Sequence, residues 1–199
     1  DDSKKILSKD SNFNWFLVAR FLSQFATMGF SFYIIYALRR FDMTPIVAGY
    51  LTATLTISQT VANIGMGWIG DRIGHRAMLI LGAFAALLSS VLAWNATSLA
   101  WFYPIFLLTG LANVSIWTIG MVMTVDFGTE VERPMYIGLS QTLTAPATII
   151  APIIGGWIVD TAGFIPTFII STTLSVVMIA ILIFLVKDPR THLTVDGRP

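Results

Sequence analysis

Long apolar stretches broken by short polar clusters set the pattern of this chain. Nearly uncharged runs lie at about 14–38, 46–70, 77–95, 99–125, 135–159 and 164–187. Between them stand Arg39-Arg40-Phe41-Asp42, Gly70-Asp71-Arg72, Asn95-Ala96-Thr97-Ser98 and the charged stretch from Asp126 to Arg133. Each run reaches the roughly 20 residues that a helix needs to cross about 30 Å of hydrocarbon, with some allowance for tilt. Six membrane helices are therefore predicted. Their short connections make neighbours antiparallel, so the expected class is an all-α membrane bundle in 13–188, between a polar linker at 1–12 and a polar tail at 189–199.

Composition agrees with a protein whose solvent is lipid: 55% of the 199 residues are hydrophobic and only 12% are charged. A net charge of +1 predicts no nucleic-acid partner. The chain has no cysteine, which removes disulfides, thiol catalysis and thiolate metal sites together. Its two histidines, His75 and His192, fall outside the apolar runs, and Asp71, Asp126 and Asp160 stand at their ends. Intramembrane hydrolysis needs facing Ser and His, or paired carboxylates, at membrane depth. No enzyme, no metal and no cofactor are expected. The polar opening, Asp1 to Ser11, followed by an apolar run of more than signal length, predicts no cleavable signal peptide.

Basic residues orient the bundle. Lys4, Lys5, Lys9, Arg72, Arg76, Arg133, Lys187, Arg190 and Arg198 lie on the side of the chain ends, against Arg39 and Arg40 on the other. By the excess of Lys and Arg in cytoplasmic loops, both ends are expected in the cytoplasm. Trp15 and Trp68 then fall near one interface and Trp94, Trp101 and Trp157 near the other, while Trp117 lies within a span.

The chain also resembles itself at an offset of 89 residues, the separation of Pro45 from Pro134. Gly49 then meets Gly138; Gly67, Trp68, Ile69, Asp71 and Gly74 meet Gly156, Trp157, Ile158, Asp160 and Gly163; and Gln24 meets Asn113. Each copy holds three spans, an odd number, so the second copy is predicted to lie upside down relative to the first. Inverted repeats of this kind build many secondary transporters.

Between the second and third runs, Gly67-Trp-Ile-Gly-Asp71-Arg72-Ile-Gly74-His-Arg76 packs glycine and charge into ten residues. Asp and Arg are too costly to leave in hydrocarbon and belong at the interface. Gly67 is expected to permit close helix contact, and Gly74 to take a left-handed turn conformation. The stretch resembles the G-x-x-x-D-R-x-G-R/K-R/K loop of the major facilitator superfamily, with His75 where that family usually carries a basic residue. The resemblance covers about 13–190. It implies half of a twelve-helix carrier, and the polar opening resembles the linker between halves, so this chain reads as the C-terminal half.

The resemblance implies a secondary transporter, a permease or efflux carrier, that moves a small solute across a cell membrane by alternating access, with the lipid bilayer and an N-terminal six-helix half as partners. In that family the first two helices of each three-helix unit border the cavity and the third lies outside. The polar residues Gln24, Gln59, Asn113, Trp117, Gln141 and Thr144 are the expected solute pathway, since an amide at membrane depth needs a partner or water. The third helix, with only Ser89 and Ser90, and the end of the sixth are expected to face lipid. Gly67, Asp71, Arg72, Gly74 and Arg76, with Asp126, Glu130 and Arg133 opposite, are the expected cytoplasmic gate, in which Arg72 or Arg76 pairs with Asp126 or Glu130. Arg20 is expected to snorkel to the interface, with an anionic site or a gate as the alternative. The neutral, amide-rich and aromatic pathway suits a sugar-like or amphipathic solute. The competing function is a six-helix scaffold or sensor that transports nothing.

Overall fold

A computed structural model describes residues 6–8 and 10–189, and these are helical with short connections. Six long helices succeed one another: α1 (Ser11–Phe41), α2 (Pro45–Ile73), α3 (His75–Asn95), α4 (Leu99–Val125), α5 (Arg133–Ala162) and α6 (Phe164–Phe184). The basic residues Lys4, Lys5, Lys9, Arg190 and Arg198, together with His192, lie outside the described residues, as do most of the expected linker and tail.

Local chemistry sets the ends. The Asp10 carboxylate accepts the Phe13 N–H at 2.9 Å and starts α1 earlier than its apolar run. Proline stands in the first turn of both α2 and α5, where its missing N–H is not needed. Gly74 (φ 99°) closes α2 and Gly163 (φ 88°) closes α5. Side chains rarely adopt such φ values, so each glycine lets the chain reverse where a helix former would continue. Two rods are not uniform. A 3-10 turn, Met28–Phe32, interrupts α1, and a π-turn, Ser115–Ile119, lies within α4.

Five of the six, all but α2, are long and apolar enough to cross a membrane. α2 has the length, at 29 residues, but is rich in hydroxyls and amides. Those groups are largely returned to the helix itself: Thr52, Thr54, Thr56 and Thr60 each donate to the carbonyl four residues back, and Asn63 donates to Gln59 O. Such back-bonding lowers the cost of polar residues away from water.

α3 packs between α4 and α6, α1 lies against α5 and α6, and α2 rests chiefly on α4. Two apolar clusters form near opposite poles. Phe13, Phe16, Phe127 and Tyr136 centre the first; Tyr33, Tyr36, Phe102 and Phe168 centre the second. The first pole also gathers the chain ends, because Asn12 and Lys187 exchange two hydrogen bonds and the Tyr136 hydroxyl donates to Asp10. At the other pole Arg39 lies over Phe164, and Arg40 over Tyr36 and Phe41.

Two packing expectations are corrected. Ser89 and Ser90 do not face outward; both are buried against the Tyr33 hydroxyl, at 3.3 and 3.0 Å. Gly67 makes no close contact within this chain, having nothing within 4 Å of where a Cβ would stand. Close approaches occur at other glycines, among them Gly110, where a Cβ would come within 2.9 Å of the Leu55 carbonyl of α2, and Gly70, against the His75 ring.

Candidate functional site

Between the two apolar poles the bundle holds a cavity of about 430 Å³, walled by α1, α2, α4 and α5. Gln24, Thr27 and Ser31 reach it from α1, Thr109 and Asn113 from α4, and Thr148 from α5; Phe30, Phe106 and Trp117 supply aromatic surface. Next to it a smaller cavity of about 320 Å³ is formed by Gln59, Asn63, Asn113, Val114, Trp117 and Thr118. The two share Asn113 and Trp117. No ionisable side chain lines either one among the described residues.

Periodicity explains why these side chains meet. Gln24, Thr27 and Ser31 fall three and four apart, on one stripe of α1; Thr109, Asn113 and Trp117 fall four apart on α4. Gln24 is fixed at both ends of its amide: its Nε2 donates to Ser23 Oγ at 3.2 Å, and its Oε1 accepts from Thr148 at 3.3 Å. That bond ties α1 to α5 across the cavity. Gln59 and Asn113 make no side-chain hydrogen bond among the described residues, so their amides keep donor and acceptor capacity for a solute. Trp117 is half-exposed, unusual for the largest side chain in a helix that is mostly buried.

Of the six expected pathway residues, Gln24, Gln59, Asn113 and Trp117 lie on cavity walls. Gln141 and Thr144 line neither of these two cavities. The Gln141 amide is exposed beside Met121 Sδ at 3.5 Å, and Thr144 is buried with its hydroxyl on its own helix, 2.6 Å from Ser140 O. Ser31 and Thr109 were absent from the expected set. Single hydroxyls carry little signal, because threonine and serine in a span so often bond back to their own helix.

The charged pole gathers around His75, which the expected gate did not include: His75 Nδ1 lies 2.6 Å from Asp126 Oδ2, and His75 Nε2 lies 3.5 Å from Asp71 Oδ1. The ring is 3% exposed and lies against Gly70, whose lack of a side chain admits it. Arg72 stacks over Trp68, 3.8 Å from the ring centroid. Arg76 crosses to the end of α6 and donates to Leu182 O at 2.9 Å and Ile183 O at 2.7 Å. Glu130 pairs with Arg133 at 3.7 Å, an exposed contact of little energetic weight. The Asp188 carboxylate sits against Gly74, so a side chain at that position would collide with it. One signal pointed to His75 beforehand: it occupies the basic position of the loop pattern.

Arg20 does not snorkel, and no carboxylate pairs with it among the described residues. It is 5% exposed and lies beside α4, with Nη1 3.5 Å from Ile116 O and in contact with Gly120.

Comparison with known proteins adds three facts. The family model described as Major Facilitator Superfamily matches residues 16–199. Multidrug resistance protein 2 of Bacillus subtilis (strain 168) is 27% identical over 140 residues, covering 70% of this chain and 35% of that protein, and multidrug transporter protein MdtP of the same organism is 26% identical over 128 residues, covering 64% and 24%. The vesicular acetylcholine transporter of Torpedo marmorata is 28% identical over 157 residues, covering 76% and 30%. The chain thus spans from about a quarter to about a third of the length of these relatives.

Proposed function

Because this chain belongs to the major facilitator superfamily and is an integral membrane protein by its apolar helices, we propose that it forms the C-terminal six-helix half of a secondary transporter working by alternating access. The observation that carries the reading is the cavity itself: amides and aromatic rings from α1, α2, α4 and α5 line it, and no ionisable group does. The N-terminal half supplies the opposite wall. Rocking of one half against the other opens the cavity to one side of the membrane at a time.

The inverted arrangement of two three-helix units is supported by matched geometry at the 89-residue offset. α2 and α5, of 29 and 30 residues, each carry proline in the first turn and stop on a positive-φ glycine; α3 and α6 each have 21 residues. The two chain ends and the His75 pole lie in the cytoplasm of a cell-membrane protein. This placement is supported by Arg72, Arg76, Arg133 and Lys187, which stand at that pole against Arg39 and Arg40 opposite.

The solute is a small organic molecule with an apolar body and a neutral or singly cationic polar group. A dianion finds no countercharge on this wall, whereas Gln59 and Asn113 satisfy hydroxyl or amide groups and Trp117 offers a π face to a cation. The multidrug relatives support the amphipathic choice over the sugar-like one. Gln141, which is exposed, joins the pathway on the face that meets the other half, and Thr144 backs that wall from inside the bundle. The pole built from Gly67, Asp71, Arg72, Gly74, His75, Arg76, Asp126, Glu130 and Arg133 is the cytoplasmic gate, closed by the His75–Asp126 contact.

The test is uptake by the full-length protein in proteoliposomes, with and without a pH gradient, over a panel of sugars and amphipathic cations. An amphipathic solute should move, and Gln24→Leu or Asn113→Leu should raise its KM. Movement of no solute by a folded protein would favour a scaffold or sensor.

A further inference from the structure

The π-turn of α4 and the buried cation beside it carry an inference that the cavity alone does not. In a regular α-helix the Gly120 N–H would bond to Ile116 O, four residues back. Here it reaches Ser115 O, five residues back, and Trp117 O, three back, so Ile116 O loses its usual donor. Arg20 Nη1 is placed at that carbonyl, and Gly120 provides the room, since a Cβ there would collide with the guanidinium. Ser115, at the start of the turn, is pinned from the other side by α3: its Oγ donates to Met78 O at 3.0 Å, in space left by Gly82.

A guanidinium in this position is expensive. Arg20 is 95% buried by its 5% exposure, its Nε has no hydrogen-bond partner, and no carboxylate lies within ion-pair distance of it among the described residues. Unpaired buried charge costs several kcal/mol in most settings, so a residue of mere filling would more cheaply be Leu or Gln. Besides the Phe16 ring, whose centroid lies 6.0 Å from its guanidinium carbon, Arg20 touches the π-turn of α4, and that stretch carries Trp117 to the boundary of both cavities. Removing the inserted residue of a π-turn rotates the downstream part of a helix by about 100° relative to the upstream part. Asn113 would stay where it is, and Trp117 would leave the boundary.

We propose that Arg20 is a positioning residue for the pathway: it holds the π-turn of α4 in place, and the π-turn sets Trp117 between the two compartments. Trp117 then separates the larger, aromatic compartment from the smaller, amide-lined one, and a solute passing between them must displace the indole. The positional statement stands without the transport reading; the statement about solute passage rests on it.

The experiment places a single reporter thiol at Trp117→Cys or Asn113→Cys in the full-length protein, with any cysteine outside this stretch replaced by serine; the stretch itself has none. Reaction with a small impermeant maleimide is timed with Arg20 intact and in Arg20→Gln, Arg20→Lys and Gly120→Ala. Arg20→Gln and Gly120→Ala should slow the thiol at 117 by about threefold or more, and leave the thiol at 113 within about twofold, below the effect that coupled substitutions produce. Arg20→Lys should recover part of the rate, since one ammonium donor still reaches the carbonyl. Unchanged rates at 117 in Arg20→Gln and Gly120→Ala, or equal slowing at 113, would overturn the proposal. If Arg20→Gln does not fold, Gly120→Ala, which keeps the charge, decides alone. Altered labelling in a protein that moves no solute would uphold the positioning role and sink the transport reading.

Discussion

His75 Nδ1 lies 2.6 Å from Asp126 Oδ2, and through this contact the turn between α2 and α3 is fastened to the end of α4. The imidazole is buried while Asp71 reaches its other nitrogen from the exposed side at 3.5 Å. A ring held this way transmits any movement of the α2–α3 turn directly to α4, the helix that carries Asn113 and Trp117. The charged pole and the cavity are thus two ends of the same rod.

The strength of that fastening is measurable by a double-mutant cycle. Asp126→Ala and His75→Leu should each lower thermal stability in detergent, and the double variant should lose less than their sum. A coupling of about 1–2 kcal/mol is expected for a partly buried contact of this length. Additive losses would show that the two side chains act separately.

Arg76 should not be replaceable by lysine. Its planar fork bridges two successive carbonyls, Leu182 O and Ile183 O, at the end of α6, and an ammonium can reach only one of them well. Arg76→Lys is expected to cost about 1 kcal/mol, one charge-assisted bond partly lost. Hydrogen exchange of the last turn of α6 should quicken in that variant, while the first turn of α6 stays protected. Equal protection at both ends would refute the capping role.

The order of the helices was legible because runs of twenty apolar residues have few alternatives in water. The amides Gln24, Gln59 and Asn113 were legible for a related reason, since a polar side chain at membrane depth must face something polar. What could not be read was rotation about a helix axis. α5 carries Ser140, Gln141, Thr142, Thr144 and Thr148 around several sides of an otherwise apolar helix, so nothing in its pattern separated exposed Gln141 and buried Thr144 from Thr148, which does reach the cavity. The π-turn has no signature in residue type, and without it the closeness of Arg20 to Gly120, a hundred residues away, is invisible. The pairing of His75 with Asp126 was hidden because a polar residue at a turn gives no sign of burial, although Gly70, four residues before Gly74, leaves room for a ring there.

The Tyr33 hydroxyl offers a check on whether α3 is a packed helix or a lipid-facing one. It meets Ser89 and Ser90 inside the bundle, and Ser89 also donates to Ala86 O. Tyr33→Phe leaves Ser90 without that partner and should cost about 1 kcal/mol of stability. The double change with Ser90→Ala should recover part of the loss, because removing both partners is cheaper than orphaning one. No loss from Tyr33→Phe would mean that these hydroxyls find water or lipid headgroups instead.

Two glycines, one on α2 and one on the helix beneath it, separate a contact this chain packs by itself from a face it leaves open. Gly110 of α4 sits where a Cβ would press on Ser58 and on the Leu55 carbonyl, a backbone atom that cannot swing away. Gly110→Ala should therefore overpack the α2–α4 contact and destabilise by about 1–3 kcal/mol. Gly67 faces open space here, beside Ile64 and Trp68, which are exposed. In an isolated six-helix chain Gly67→Ala should be neutral or stabilise by up to about 1 kcal/mol, since alanine is the better helix former. In the full-length protein the same change should instead destabilise if the opposite half closes onto α2, because a glycine at a helix crossing lets backbones approach. Opposite signs in the two contexts would locate the partner half on this face; the same sign in both would leave the face to lipid.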